Sequence, residues 1–185
     1  MQVPIHLMAG WCTANLLPGL TPRQRLFCVV AAAVPDLDGV TYLSWIFGPD
    51  AFWNWHHKAC HNLPFCVIVC LAMAAYSPAK IGSFVLYAVE FHLHLAMDVF
   101  GSGPHWGIYY FWPFSNWCGD NTRFSWAFYS WQNLTIAGAL LAWTILIAAR
   151  ERRTPLEAIM PNLDRELLEL LAGRKAEISQ VEEDK

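Results

Sequence analysis

IGSFVLYAVEFHLHLAMDVF, residues Ile81–Phe100, decides how the chain is read. Its 20 residues are enough to cross a hydrocarbon core of about 30 Å as a helix. It holds no lysine or arginine, and its formal charges are Glu90 and Asp98. Glu90, His94 and Asp98 stand at i, i+4 and i+8, so a helix lines them on one face. A histidine and a carboxylate one turn apart can hold one divalent ion together, as such pairs do in helical-bundle metal sites. Ionisable side chains within a membrane are expensive and mark function by default. A stripe of three that includes a histidine favours metal over simple burial.

Four further apolar segments flank this one. Val3–Leu20 closes on Pro18, Gly19 and Pro22. Leu26–Phe47 is broken by Pro35-Asp36-Leu37-Asp38-Gly39. Leu63–Tyr76 is short for a span, and Leu134–Ala149 is the cleanest run. Between Gly101 and Trp131 lies a stretch dense in Trp, Tyr and Phe, residue types of which Trp and Tyr gather at membrane–water interfaces. The expected fold is all-α: a multi-pass transmembrane helical bundle of about four or five membrane helices with a short amphipathic C-terminal tail. The expected division is a membrane-embedded domain over residues 1–150 and a cytoplasmic tail over 151–185, with an amphipathic helix at Leu156–Leu171 and a disordered end at 181–185.

Composition agrees. The chain is 56% hydrophobic and 15% charged, with a mean hydropathy of +0.30; soluble domains run at about 45–50% apolar and about 25% charged. Of the 27 Lys, Arg, Asp and Glu residues, 16 fall between Arg150 and Lys185, leaving 11 for the first 149 residues. So few charges do not solvate a water-soluble surface of that size. No basic stripe is present, which removes nucleic acid as a partner. The six cysteines lack zinc-ribbon spacing; Cys12, Cys28, Cys66 and Cys70 read as small apolar residues of membrane helices.

Lys and Arg set the expected orientation. With Arg150, Arg152 and Arg153 in the cytoplasm, counting back through five spans places Lys80, Arg23 and Arg25 there too, and Lys58 and Arg123 outside. On this topology His6, Asp36, Asp38, His56, His57, His61, His94 and Asp98 all drift to the outer side. Asp36 and Asp38 sit on a Pro/Gly break, where two carboxylates repel unless cations or protons intervene. His56 and His61 enter from a loop. The expected metal ligands are His6, Asp36, His61, His94 and Asp98, and the expected catalytic residues are Asp38 and His56. Imidazole with carboxylate points to zinc first, with manganese as the other candidate, and the surplus of donors leaves room for two ions.

The ordered set resembles the YdjM-type inner-membrane metal-dependent hydrolases over residues 5–115. Their early His with a Gly four residues on resembles His6 and Gly10. Their Pro-Asp-x-Asp is similar to Pro35-Asp36-Leu37-Asp38, and their His-Arg-x-x-Thr-His-Ser to His56-His57-Lys58-Ala59-Cys60-His61-Asn62. Their Ser-His-x-x-Leu-Asp is similar to Leu93–Asp98, and their Trp-Pro-Phe-Ser to Trp112–Ser115. Three positions depart: His57 for Arg, Cys60 for Thr and Asn62 for Ser. The ligand order is also distantly similar to the zinc-dependent phospholipase C family.

The resemblance implies an inner (plasma) membrane hydrolase acting on a phosphoester or lipid-linked substrate, with membrane lipid as the partner. Asp38 would orient or deprotonate water, and His56 would be a further ligand or the general acid. The alternative class is a divalent-cation or proton transporter or channel using Glu90, His94 and Asp98. A transporter needs a site near the midplane, whereas these residues crowd to one end.

Overall fold

The computed structural model describes residues 1–119 and 121–183. Its elements run α1 (Val3–Ala14), α2 (Pro22–Ala33), a 3₁₀ segment (Val34–Tyr42), and the short α3 (Ser44–Phe47) and α4 (Ala51–Trp55). They continue with α5 (Leu63–Ala75), α6 (Lys80–Gly101), α7 (Trp131–Glu151) and α8 (Pro161–Glu183). No strand occurs among the described residues.

Two helices are long and apolar enough to cross a membrane, α6 with 22 residues and α7 with 21. This is fewer than the four or five expected. The reason lies in the breakers. The turn at 15–19 ends α1 after 12 residues, and Pro35 converts the chain to 3₁₀ so that α2 also stops at 12. Ser77-Pro78 follows α5 after 13. At about 1.5 Å per residue such helices reach about 18–20 Å.

Side-chain caps start α2, α5 and α7. Thr21 and Gln24 form a reciprocal capping box with Pro22 in the first turn of α2. Asn62 accepts from the Phe65 N–H at 2.9 Å to start α5, and Ser130 caps α7. Pro155 and Pro161 shift the tail helix: it begins at Pro161, not Leu156, and continues to Glu183. The remainder of the tail expected to be disordered, residues 184 and 185, lies outside the described residues.

Helix α6 packs on α2 and α5, and α1 packs on α2 and α7. The main core joins Ala14, Cys28, Cys70, Tyr87, Phe91 and Leu95; a smaller cluster of Trp11, Cys12 and Ile147 joins α1 to α7. At Gly10 the α1–α2 approach is so close that a Cβ would stand 2.6 Å from the Cβ of Ala32. His6 lies one turn earlier on the same helix and stacks on His94 of α6. The outer faces of α6 and α7 stay apolar: Val89 is 59% and Leu134 74% exposed. Such a surface suits lipid rather than water.

The aromatic stretch after α6 is irregular but anchored. The Trp126 N–H donates to the Phe100 carbonyl at 2.8 Å. Asn133 of α7 donates to the Gly101 carbonyl at 2.8 Å and accepts from the Trp126 indole at 2.7 Å. Asn121 donates to the Gly103 carbonyl at 2.9 Å.

Candidate metal centre

Four separate parts of the chain meet at the Gly101 end of α6. Helix α6 presents His94 and Asp98, α1 presents His6, the 3₁₀ segment presents Asp36 and Asp38, and the loop 56–62 presents His56, His57 and His61. His6, His57, His61, His94 and Asp98 are all buried at 0–1% exposure.

The loop is held from both sides. Asn62 donates to the Lys58 and Ala59 carbonyls at 2.8 and 2.9 Å while capping α5. The aromatic stretch pairs with it: the Tyr109 N–H donates to the His57 carbonyl at 3.1 Å and the Leu63 N–H to the Tyr110 carbonyl at 2.8 Å.

The protonation of each imidazole follows from its neighbours. His94 Nδ1 lies 2.7 Å from the Ala32 carbonyl, a group left open because α2 ends one residue later. A carbonyl only accepts, so Nδ1 carries the hydrogen and Nε2 the lone pair. His61 Nδ1 lies 3.0 Å from Asp38 Oδ2, so in the neutral ring its Nε2 is also a lone pair. These two Nε2 atoms are 3.1 Å apart. Asp98 Oδ2 lies 2.9 Å from His94 Nε2 and 3.3 Å from His61 Nε2, and Asp36 Oδ1 lies 3.7 and 3.9 Å from the same two nitrogens. Asp98 Oδ2 and Asp36 Oδ2 are buried without a hydrogen-bond partner. Electron pairs therefore face one another with no donor between them. Such an arrangement requires a cation or an added proton in its midst.

A divalent ion fits these donors. Asp36, His61, His94 and Asp98 each offer an atom, all within 4.8 Å of one another. Tetrahedral zinc with ligand bonds of about 2.0–2.1 Å separates its ligand atoms by about 3.4 Å, close to the 2.9–3.9 Å spread of the pairs above. Without a metal, a proton on His61 meets part of the same need. Burial by itself would lower that imidazole, but Asp38 and Asp98 outweigh it and hold His61 up at about 9.

The expected residues divide by position. Asp36, His61, His94 and Asp98 form the set just described. His6 stands on the other side of Asp98, its Nε2 3.2 Å from Oδ1 and its ring stacked on His94 with centroids 3.7 Å apart. Asp98 Oδ1 is further contacted by the Met1 amino group and by the Ser102 hydroxyl at 2.8 Å.

Asp38 has both oxygens engaged. Oδ1 meets His56 Nδ1 at 2.6 Å, and Oδ2 takes His61 Nδ1 and the Cys60 N–H at 3.1 Å. A carboxylate so placed orients the two imidazoles. Asp38, His56 and His61 also lie within ligand distance of one another, but hydrogen bonds already satisfy their facing atoms. Glu90, one turn deeper, accepts from the Thr13 hydroxyl at 2.7 Å and stays apart from the donor set. His92 is bonded to the Ala88 carbonyl and the Tyr110 hydroxyl.

His57 is the residue that spacing alone undervalued. Its Nε2 approaches Asp98 Oδ2 at 3.6 Å. Burial, reinforced by His61, holds this imidazole well below its ordinary range. The hint in the sequence was only its place beside His56.

Residues 1–163 match the family described as YdjM inner membrane protein. The chain belongs to that family. No curated protein and no solved structure matches it. Its YdjM membership covers every residue of the centre and α1–α7, and agrees with the apolar α6 and α7 in assigning the chain to an inner-membrane family.

Proposed function

We propose that the chain is a membrane-bound, metal-dependent hydrolase acting on a phosphoester or lipid-linked substrate. One observation carries this reading: with both rings neutral, the Nε2 lone pairs of His61 and His94 converge with Asp98 Oδ2, so that a metal ion can take the place of the proton His61 otherwise holds. Asp36, His61, His94 and Asp98 would hold the ion, zinc before manganese for a set containing imidazole. Such an ion, when bound, supplies Lewis acidity and lowers the pKa of water toward about 7.

The protein residues divide the remaining work. Asp38 fixes the tautomer of His61 and turns its Nε2 inward, a common carboxylate–histidine arrangement behind metals. The same carboxylate holds His56, whose side chain is 12% exposed and so stands nearest the rim. His56 is the proton donor for a leaving group. Lys58, 5.1 Å over the Tyr109 ring, brings positive charge to the loop that carries His56, which favours an anionic substrate. Beside the centre, on a neighbouring face of α6, an apolar hollow of about 430 Å³ is lined by Leu95, Val99, Ile108, Tyr110 and Trp117. An acyl or isoprenoid chain suits it.

With α6 running outward from Lys80, the centre sits at the outer face of the inner membrane. The crowding of donors at one end of α6, and the engagement of Glu90 by Thr13, favour an interfacial enzyme over a transporter with a midplane site.

The test is metal content of the detergent-purified protein by elemental mass spectrometry, against a His94→Ala/Asp98→Ala variant, followed by phosphoester and lipid-phosphate hydrolysis assays. Near-stoichiometric zinc or manganese in the parent only, with hydrolysis that a chelator abolishes, is the expected result. A parent that stays metal-free after incubation with these ions overturns the reading.

A further inference from the structure

His57 stands in left-handed backbone, with φ of 65°, a region uncommon for residues other than glycine. Left-handed backbone costs energy in a residue with a Cβ and persists where the surroundings hold it. Here its own carbonyl is bonded to the Tyr109 N–H, and the Lys58 and Ala59 amides are bonded back to Trp55. The effect is to turn a histidine side chain inward, where it is 1% exposed.

What the ring meets there is specific. Nδ1 lies 3.2 Å from the Trp106 carbonyl, so Nδ1 carries the hydrogen and Nε2 the lone pair. The ring stacks on the Trp106 indole at 5.0 Å between centroids and 23°, which fixes its plane. Nε2 then faces Asp98 Oδ2 at 3.6 Å, another acceptor. A histidine placed only for packing would turn a ring N–H toward that carboxylate. His57 instead repeats the pattern of His61 and His94: the hydrogen is spent on an outer acceptor, and the lone pair is aimed at the same oxygen.

We propose that His57 is a further ligand of this centre, giving Asp98 Oδ2 three imidazole neighbours in place of two; the inference rests on the metal reading above. A third imidazole makes the donor set nitrogen-rich. Nitrogen-rich sets select zinc, cobalt(II) or iron(II) and discriminate against magnesium and calcium.

The experiment uses the full chain in detergent, stripped of metal and titrated with Co²⁺, whose visible absorption reports the number and kind of its ligands. His57→Asn and His57→Gly both tolerate a positive φ, so either keeps the loop while removing the imidazole. His105→Asn is the matched control, since His105 shares the left-handed backbone with φ of 66° but is exposed and outside the cluster. The expected result is a parent-like spectrum in His105→Asn, and in both His57 variants an altered spectrum with affinity about 100-fold weaker. That loss is at the upper end of what removing even an outer partner of a metal ligand costs, about 10–100-fold. Parental affinity and an unchanged spectrum in the folded His57 variants overturn the inference and leave the metal reading standing. A parent that binds no Co²⁺ overturns both.

Discussion

The two ends of α6 bury polar side chains in opposite ways. Near Lys80, Gln24 of the capping box donates to Ser83 at 3.2 Å, and Ser77 pairs with Tyr87 at 2.7 Å. Arg25 makes a two-pronged bond to Glu157 at 2.5 and 2.9 Å while its third nitrogen reaches the Leu20 carbonyl at 2.5 Å. Among these residues each donor meets an acceptor. Near Gly101, acceptors meet acceptors: Asp98 Oδ2, Asp36 and the Nε2 lone pairs of His61 and His94. Burial of polar groups is common to both ends, so burial by itself does not mark a site. The mark is an excess of one hydrogen-bonding sense, which only something from outside the chain corrects.

The acceptor-rich end should show the largest effects. The His94→Ala/Asp98→Ala protein should lose its metal altogether. It should also lose the thermal stabilisation that added zinc gives the parent, about 2.7 kcal/mol at a hundredfold excess over Kd, read as a shift in melting temperature in detergent. If the parent shows no such shift, the two ends are alike after all.

Arg25→Ala is the converse test. It strands the largely buried Glu157 and should cost about 3 kcal/mol, seen as a lower melting temperature, yet leave metal content at the parental level by mass spectrometry. Loss of metal in this variant would mean that the ends are not independent.

Asp38→Asn sharpens the contrast between holding a metal and supporting its ligand. It removes the anion behind His61 and should weaken zinc binding about 10–100-fold without abolishing it, measured by competition with a chromophoric chelator. The smallest effect belongs to Thr21→Ala at the satisfied end. Losing the cap of α2 should cost about 1 kcal/mol and leave zinc affinity unchanged.

Much of the centre was legible in one dimension. His94 and Asp98 are joined by helical spacing, and the Pro-Asp-x-Asp break announces two carboxylates that need a partner. The span count was less legible. Apolar runs such as Val3–Leu20 and Leu26–Phe47 look long because hydropathy does not register where the backbone leaves the α-helix; the helices stop at Ala14 and Ala33. His57 was undervalued because its value depends on a positive φ and on the Trp106 carbonyl, 49 residues away in sequence.

Segregated charges and apolar runs in the sequence were enough to point to a helical, membrane-type chain, because so few charges over the first 149 residues suit lipid better than water. The sequence by itself also determined which residue types would compete for a metal, since few other roles explain carboxylates and imidazoles recurring at apolar breaks. Tertiary structure alone decided which way each imidazole's lone pair points. A histidine's tautomer is set by what its other nitrogen touches, and those partners, Ala32, Asp38 and Trp106, are brought close only when the helices pack.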